Sequence, residues 1–323
     1  MELWDYLYQG LRVRAEFPLT DWAPFAGDFG AVAPDVMISL GACPDSAGLL
    51  INETGDETKD ALSADEYRFF VPEWGTIRVT GGREIVVTPL TGVQPGELHP
   101  WLAGSAWAAL CYQRGLLLIH ASAVAFGNGA IAFCGPTGCG KSTLAAHIHS
   151  LGHALVSDDL CRVDISGEGS AFIHPSAPRF KLRSDSLAGL GALTQSSGTR
   201  LECGAQKAQL WTRNWSPKPL PLIAIFLLNW GEPKSGLLTG SAALRGFLAA
   251  ACYRGDLIEQ MKRSATHVAL SVEMLRRVPL WELARPRDLT RAEEIVRFIR
   301  EDCSMIESWS NHRSVASNGK VCD

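Results

Sequence analysis

The 323-residue chain has no long hydrophobic run: its longest apolar stretch, "PLPLIAIFLLNW" at 219–230, is too short to span a bilayer and predicts a buried strand. The amino terminus, "MELWDYLYQG", lacks the basic region and apolar core of a signal peptide. A large excess of charge of one sign is missing too. A formal net charge of −4 gives no reason to expect nucleic acid or an anionic membrane as partner. The 9 cysteines are an odd number with no CxxC pair, which argues against a disulfide framework and a zinc site. Cys111, Cys134 and Cys252 sit in apolar segments, where a thiol behaves as a small hydrophobe. What is left is an ordinary globular composition, 46% hydrophobic, long enough for two domains, with a cytoplasmic enzyme as the expectation.

The texture changes near residue 95. Residues 1–95 read as a smaller, mostly β domain, whose clearest piece is "TIRVTGGREIVVTPL", two β-branched runs joined by Gly81-Gly82. The polar stretch 44–66 reads as loop. Residues 96–310 alternate helix and strand, which predicts an α/β catalytic domain. It opens with a helix over 101–113, stopped by Arg114-Gly115. Strands are expected at 130–134, 154–158, 172–183, 222–229 and around "VPLWELARP". Helices follow the glycine-rich loop and cover "SAALRGFLAAACYR" and "DLIEQMKRSATHVALSVEMLRR". A final helix carries Thr290 and Glu293 at capping-box spacing. The tail 311–323 is polar and expected to fray.

"GPTGCGKST" supplies the chemistry. Gly135, Pro136, Thr137, Gly138, Cys139, Gly140, Lys141 and Ser142 fit G-x-x-x-x-G-K-[ST] without a mismatch, and Thr143 follows. The glycines let backbone N–H groups turn inward around phosphate, and the helix behind presents its positive end. Lys141 is a point charge for the β- and γ-phosphates; the Ser142 hydroxyl is a Mg²⁺ ligand. A strand before the loop and a helix after it complete the expected P-loop context, and ATP with Mg²⁺ is the expected cofactor pair.

"LVSDDL" comes next at 155–160, with Asp158 and Asp159 expected at the tip of the next strand, at the sheet edge where the loop sits. A kinase must hold a metal against the phosphates and accept a proton from a hydroxyl, so one carboxylate can serve each task. In a regular strand only one of the two would face the phosphate. The competing reading is a solvent-facing turn after a strand, with Asp158 merely capping the next turn. Ahead of the loop, "HASAVAFGNGAIAFCG" predicts an antiparallel hairpin. With Asn128-Gly129 as its two-residue turn, His120 falls opposite Thr137, beside the phosphates. Arg179, Lys181 and Arg183 alternate and so share one strand face, where they could hold an acidic substrate or the triphosphate, or simply be solvated.

The stretch "LLLIHASAVAF…AIAFCGPTGCGKSTLAAHIHSLGHALVSDDL" resembles the catalytic core of HPr kinase/phosphorylase over 115–162. That resemblance implies that His120 is the active-site histidine, Lys141 the phosphate-binding lysine, Ser142 a Mg²⁺ ligand and Asp159 the base, with Asp158 its partner on the metal side. The family's later Glu-x-Arg-Gly segment is not matched: "HPSAPRFKLRSDS" holds no such Glu, which argues against the reverse, phosphorolytic activity and against HPr as acceptor. "WLAGSAWAALCYQRGLLLIHASAV", "HPSAPRFKLRSDSLAGLG" and "VPLWELARPRDL" are similar to a divergent branch associated with lasso peptide biosynthesis. This implies ATP-dependent phosphorylation of a precursor peptide on a C-terminal serine hydroxyl, with residues 1–95 as candidates for peptide recognition or homo-oligomer contacts. The alternatives are a small-metabolite kinase with the same machinery and a nucleotide-dependent switch ATPase.

Overall fold

The computed structural model describes residues 2–43, 50–51, 57–58, 61–165, 169–183, 186, 190, 200–203, 208–288 and 291–303. The fold is mixed α/β. Among the described residues, an eight-stranded sheet occupies the first 89 positions and a seven-stranded sheet dominates the rest. Alternation builds the first sheet: in β2 (Leu11–Ala15) Leu11, Val13 and Ala15 are buried while Arg12 and Arg14 face outward. It begins with β1 (Trp4–Tyr8), includes β3 (Ala26–Gly27) and β4 (Val36–Leu40), and ends with β7 (Ala61–Leu62), β8 (Glu66–Val71), β9 (Gly75–Thr80) and β10 (Glu84–Pro89). The spatial order is β3-β1-β2-β4-β10-β9-β8-β7. Most of the stretch 44–66, expected as loop, lies outside the described residues, apart from β7 and a small pair, β5 (Leu50–Ile51) with β6 (Glu57–Thr58).

The helical run 99–113 packs on this first sheet. It comprises α1 (His99–Trp101), a π turn over Leu102–Ala106, and α2 (Trp107–Gln113). Trp107, Ala108, Leu110 and Cys111 share one core with Tyr8, Val13, Trp22, Ile77 and Val79. Tyr8 stacks on Trp22 at 4.0 Å between centroids, and Trp107 meets Trp22 edge-on at 5.2 Å.

The second sheet is covered on both faces. Its strands are β11 (Leu117–Phe126), β12 (Gly129–Cys134), β13 (Leu155–Ile165), β14 (Ala171–Ile173), β18 (Leu220–Trp230), β19 (Lys234–Leu238) and β20 (Leu280–Arg285). β12, β18 and β20 run parallel, with β18 between the other two. Ile131, Phe133, Phe226 and Leu228 pack on α3 (Lys141–Ser150) and on Ile295 and Ile299 of the last helix, 292–303. The alternate residues, Ala130, Ala132, Cys134 and Ile225, pack on α4 (Gly240–Ala251) and α6 (Ser264–Leu275) through Phe247, Ala251 and Met274. Short α5 (Gly255–Gln260) precedes α6, so the expected "DLIEQ…" segment forms two helices. Thr290 of the expected capping box and the tail 311–323 lie outside the described residues.

Three further expectations need correction. The hairpin register is two residues from the expected one: Phe126 pairs with Gly129 and Ala121 with Cys134. Gly127 takes the left-handed first corner at φ 54°, whereas Gly129 is reserved for close packing, since a Cβ there would lie 2.4 Å from the Pro221 carbonyl oxygen. The strand expected over 172–183 is two strands in different sheets. Pro175 and Pro178 interrupt pairing, and β15 (Arg179–Leu182) joins β17 (Ala208–Trp211) and β16 (Arg200–Cys203). Finally, Asp158 and Asp159 lie inside β13, which continues to Ile165, not at a strand tip. No helix among the described residues is long and apolar enough to cross a membrane.

Candidate active site

Register alone brings the loop and the aspartates together. β11 lies between β12 and β13 and is antiparallel to both. Ala121 pairs with Cys134, the last residue before the loop, on one side and with Asp159 on the other. Ser122 likewise pairs with Phe133 and Asp158. The carboxylates are therefore level with the point where the glycine-rich loop begins, across one strand.

The two carboxylates have separate environments. Asp158 is 8% exposed, and Ser122 Oγ donates to its Oδ1 at 2.5 Å. The same Ser122 hydroxyl lies 3.3 Å from Ser142 Oγ, the hydroxyl that follows the loop lysine. The Lys181 N–H donates to Asp158 Oδ2 at 2.8 Å. Burial pushes the Asp158 carboxyl above its ordinary value and the charge of Asp159 adds to this, against the lowering effect of the Lys181 N–H and the Ser122 and Ser142 hydroxyls.

Asp159 has φ 81°, a left-handed conformation inside a strand. In a regular strand its side chain would leave the face that Asp158 occupies. Instead Asp159 Oδ2 accepts from Lys181 Nζ at 2.6 Å, and its Oδ1 lies 3.7 Å from His120 Nε2. Lys181 thus touches both carboxylates, one through its backbone and the other through its side chain. The next carbonyl, Leu160 O, is held by Gln9 Nε2 at 2.9 Å and by Ser157 Oγ at 3.1 Å. Gln9 in turn accepts from Trp107 Nε1 at 2.8 Å, so the turn between β1 and β2 braces the strand beside Asp159.

The remaining expected residues sit around this pair. His120 meets the Tyr253 ring edge-on at 5.8 Å. Tyr253 is near Gly104 of the π turn; such turns often occur at functional sites. Lys141 is buried, its Nζ donating to the Gly135 and Pro136 carbonyls at 2.8 and 3.3 Å. Gly135, Gly138 and Gly140 all have positive φ. Arg285 Nη2 ties the loop to β20 by donating to the Cys139 and Gly140 carbonyls at 2.8 and 3.1 Å. A Cβ on Gly140 would lie 1.9 Å from that nitrogen. Thr143 Oγ1 reaches Ser186 Oγ at 3.1 Å. Of the three alternating cations, Arg179 is buried in an ion pair with Asp21, Lys181 serves the carboxylates, and Arg183 lines a cleft of about 430 Å³ beside Gly138, Gly140 and Thr143.

Several of these residues escaped the sequence reading. Ser122 could have been found, because strand alternation puts it on the same face as His120. Gln9, Tyr253 and Arg285 are contributed by segments remote in sequence and carry no local signal.

The oxygen donors fit a magnesium ion. Ser142 Oγ, Ser122 Oγ and Asp158 form a hard-oxygen set of two hydroxyls and one carboxylate. Mg²⁺ is commonly held by one or two carboxylates, with phosphate oxygens and water completing its shell. Among the described residues no group of three or more His, Cys, Asp or Glu side chains could hold a metal ion.

No protein-family model matches the chain, and no curated protein matches it. Among solved structures, the Hpr(Ser) kinase/phosphatase from Coxiella burnetii is similar at 12% identity, over 59% of this chain and 99% of that one, with a TM-score of 0.32.

Proposed function

We propose that the protein is an ATP-dependent kinase of the HPr-kinase-like, P-loop type, transferring the γ-phosphoryl group to a serine hydroxyl of a precursor peptide, at its C-terminus. The observation that supports phosphoryl transfer to a hydroxyl is the pairing of Asp158 and Asp159 across β11 from the loop, each in a different environment, and the peptide acceptor follows from the sequence resemblance alone. One carboxylate beside the metal and a second, held in a costly backbone conformation next to a lysine and a histidine, match the two tasks of phosphate transfer, holding the metal and accepting the acceptor's proton.

In this reading residues 135–143 cradle the phosphates, and Lys141 leaves the loop carbonyls to meet the β- and γ-oxygens. Ser142 and Asp158 would hold Mg²⁺, which when bound neutralises phosphate charge. Asp159 accepts the acceptor's proton as the hydroxyl oxygen bonds to γ-phosphorus and the bond to the β-bridging oxygen breaks, releasing ADP. Lys181 orients Asp159, and His120 steadies the transferring group. Tyr8 and Ala103 join Asp158, Asp159 and Lys181 around a small cavity, so the segment before residue 117 walls the acceptor side. We assign peptide recognition or homo-oligomer contacts to residues 1–95 and catalysis to 96–310, in a cytoplasmic protein.

The test is incubation with Mg-ATP and a panel of serine-ending peptides, read by intact mass. One added phosphate on peptide, located by fragmentation at serine, supports the reading. ADP formed with every peptide unmodified sinks the peptide assignment, and a phosphorylated small alcohol would establish a metabolite kinase instead.

A further inference from the structure

The cleft beside the loop contains a feature that phosphate transfer does not use. Trp230 ends β18 and Arg285 ends β20, and the two are register partners in parallel strands. β12 runs parallel to β18 and ends at the loop, so the loop, Trp230 and Arg285 emerge at the same edge of the sheet. Ligands of α/β sheets sit at that edge. The Trp230 side chain is 40% exposed, although its neighbours Phe226 and Leu228 are fully buried. Its ring lies 3.6 Å from where a Gly140 Cβ would be.

Two guanidinium groups frame the indole. Arg285 Cζ is 4.5 Å from the Trp230 ring centroid, and Arg287 Cζ is 5.3 Å from it. Arg285 is 4% exposed and fixed to the loop carbonyls; its Nε is buried without a hydrogen-bond partner among the described residues. Arg287 is exposed at the rim. The cleft of about 430 Å³ that they line, with Gly138, Gly140 and Thr143, is of ligand-pocket size. A triphosphate on the loop would place its far end, sugar and base, next to the loop's exit into α3, which is where Thr143 borders the cleft.

We propose that this cleft is the nucleobase subsite, with Trp230 as the stacking face, Arg285 as its fixed support and Arg287 as its outer cover. This assignment rests on the nucleotide-binding role proposed for the loop. The aromatic and guanidinium planes recognise the π-face of a heterocyclic base, a mode worth much in affinity and little in base identity. Anions without a base bind through the loop alone.

The experiment compares MgADP with magnesium pyrophosphate by calorimetry, in the full chain. The wild type binds ADP at least about tenfold more tightly than pyrophosphate. Trp230→Ala weakens ADP by about 5- to 150-fold, the range for loss of one stacked base, and leaves pyrophosphate within about twofold. Trp230→Phe, which keeps a stacking face, retains most of the ADP preference. The proposal is overturned if Trp230→Ala keeps the wild-type ratio of ADP to pyrophosphate affinity. Should that variant lose both ligands, Arg287→Ala decides: a lowered ratio supports the subsite, and an unchanged ratio rejects it. If the wild type binds neither ligand, the nucleotide reading itself fails and the subsite falls with it, an outcome distinct from an unchanged ratio.

Discussion

At the scale of the residue, Asp159 is the decisive position. A non-glycine residue at φ 81° inside a strand costs on the order of 1–3 kcal/mol and persists only where its surroundings fix it. Lys181, Ser157 and Gln9 do the fixing. Asparagine tolerates that conformation, so Asp159→Asn isolates the carboxylate's chemistry. The expected result is a drop in kcat of about 10²- to 10⁴-fold with ADP affinity unchanged, measured by product formation and calorimetry. Asp158 behaves differently because its carboxyl is raised by burial. Below the ordinary value of 3.8 the group is protonated both folded and unfolded, and its burial carries no ionic penalty. As pH rises through that value the unfolded chain ionises first, so stability falls until the folded group also ionises, and the penalty then persists to neutral pH. Asp158→Asn is therefore expected to unfold at a higher temperature than wild type at pH 7 while losing activity; an equal or lower Tm would remove the burial argument. The Asp-Asp pair and the loop were legible in sequence because their chemistry is local. The left-handed backbone that aims Asp159 was not, since nothing in "SDDL" demands it.

At the scale of the element, the register of β11 positions the site. A hairpin was legible in "AFGNGAIAF", but its register depended on which glycine made the turn. Gly129 is needed for packing against Pro221, a contact between residues far apart in sequence, so local turn preference pointed to the wrong pair. Substituting Gly129 by Ala is expected to cost about 1–3 kcal/mol through overpacking, read as a lowered denaturant midpoint at unchanged slope. The β15 strand shows the same limit. Its alternating cations were visible, but three different tasks fall to them. Arg179 joins Asp21, which sits 3.2 Å from His99. Burial raises the Asp21 carboxyl, yet contact with His99 and Arg179 outweighs it and holds the group at about 2. A carboxylate lowered in the folded state adds stability above its ordinary value of 3.8, and that stability is lost as pH falls towards about 2. Asp21→Asn should consequently lose about 1–2 kcal/mol at pH 7, with the difference from wild type narrowing between pH 4 and 2 in urea titrations.

At the scale of the whole molecule, the two sheets are joined by the helical run 99–113. The composition change near residue 95 was read as a domain boundary, and the helical run just after it packs into the core of the first sheet. What could not be read is that Trp107, Leu110 and Cys111 complete a core whose other half is β1, β2 and the Trp22 region. A helix buried all round, as α2 is, does not state which sheet it will cover. Trp22, fully buried against Tyr8 and Trp107, is the centre of that joint. Trp22→Ala is expected to cost about 3–5 kcal/mol, and a chain starting at residue 96 should show no cooperative thermal transition, because the α2 side chains that meet the first sheet would be left in water. A cooperative transition in that fragment would show that the joint is dispensable. The same joint carries Gln9 to the strand beside Asp159, so damage to the first sheet is expected to reach the site.

The central claim is that the carboxylate pair moves phosphate to a hydroxyl rather than to water. The direct measurement follows the label from γ-³²P-ATP in wild type and Asp159→Asn with a serine-ending peptide present. The account predicts label on the peptide in the wild type at a rate at least about 10²-fold above that in the variant, with nucleotide binding intact in both. Label appearing only as inorganic phosphate, or on peptide equally in both proteins, would contradict it.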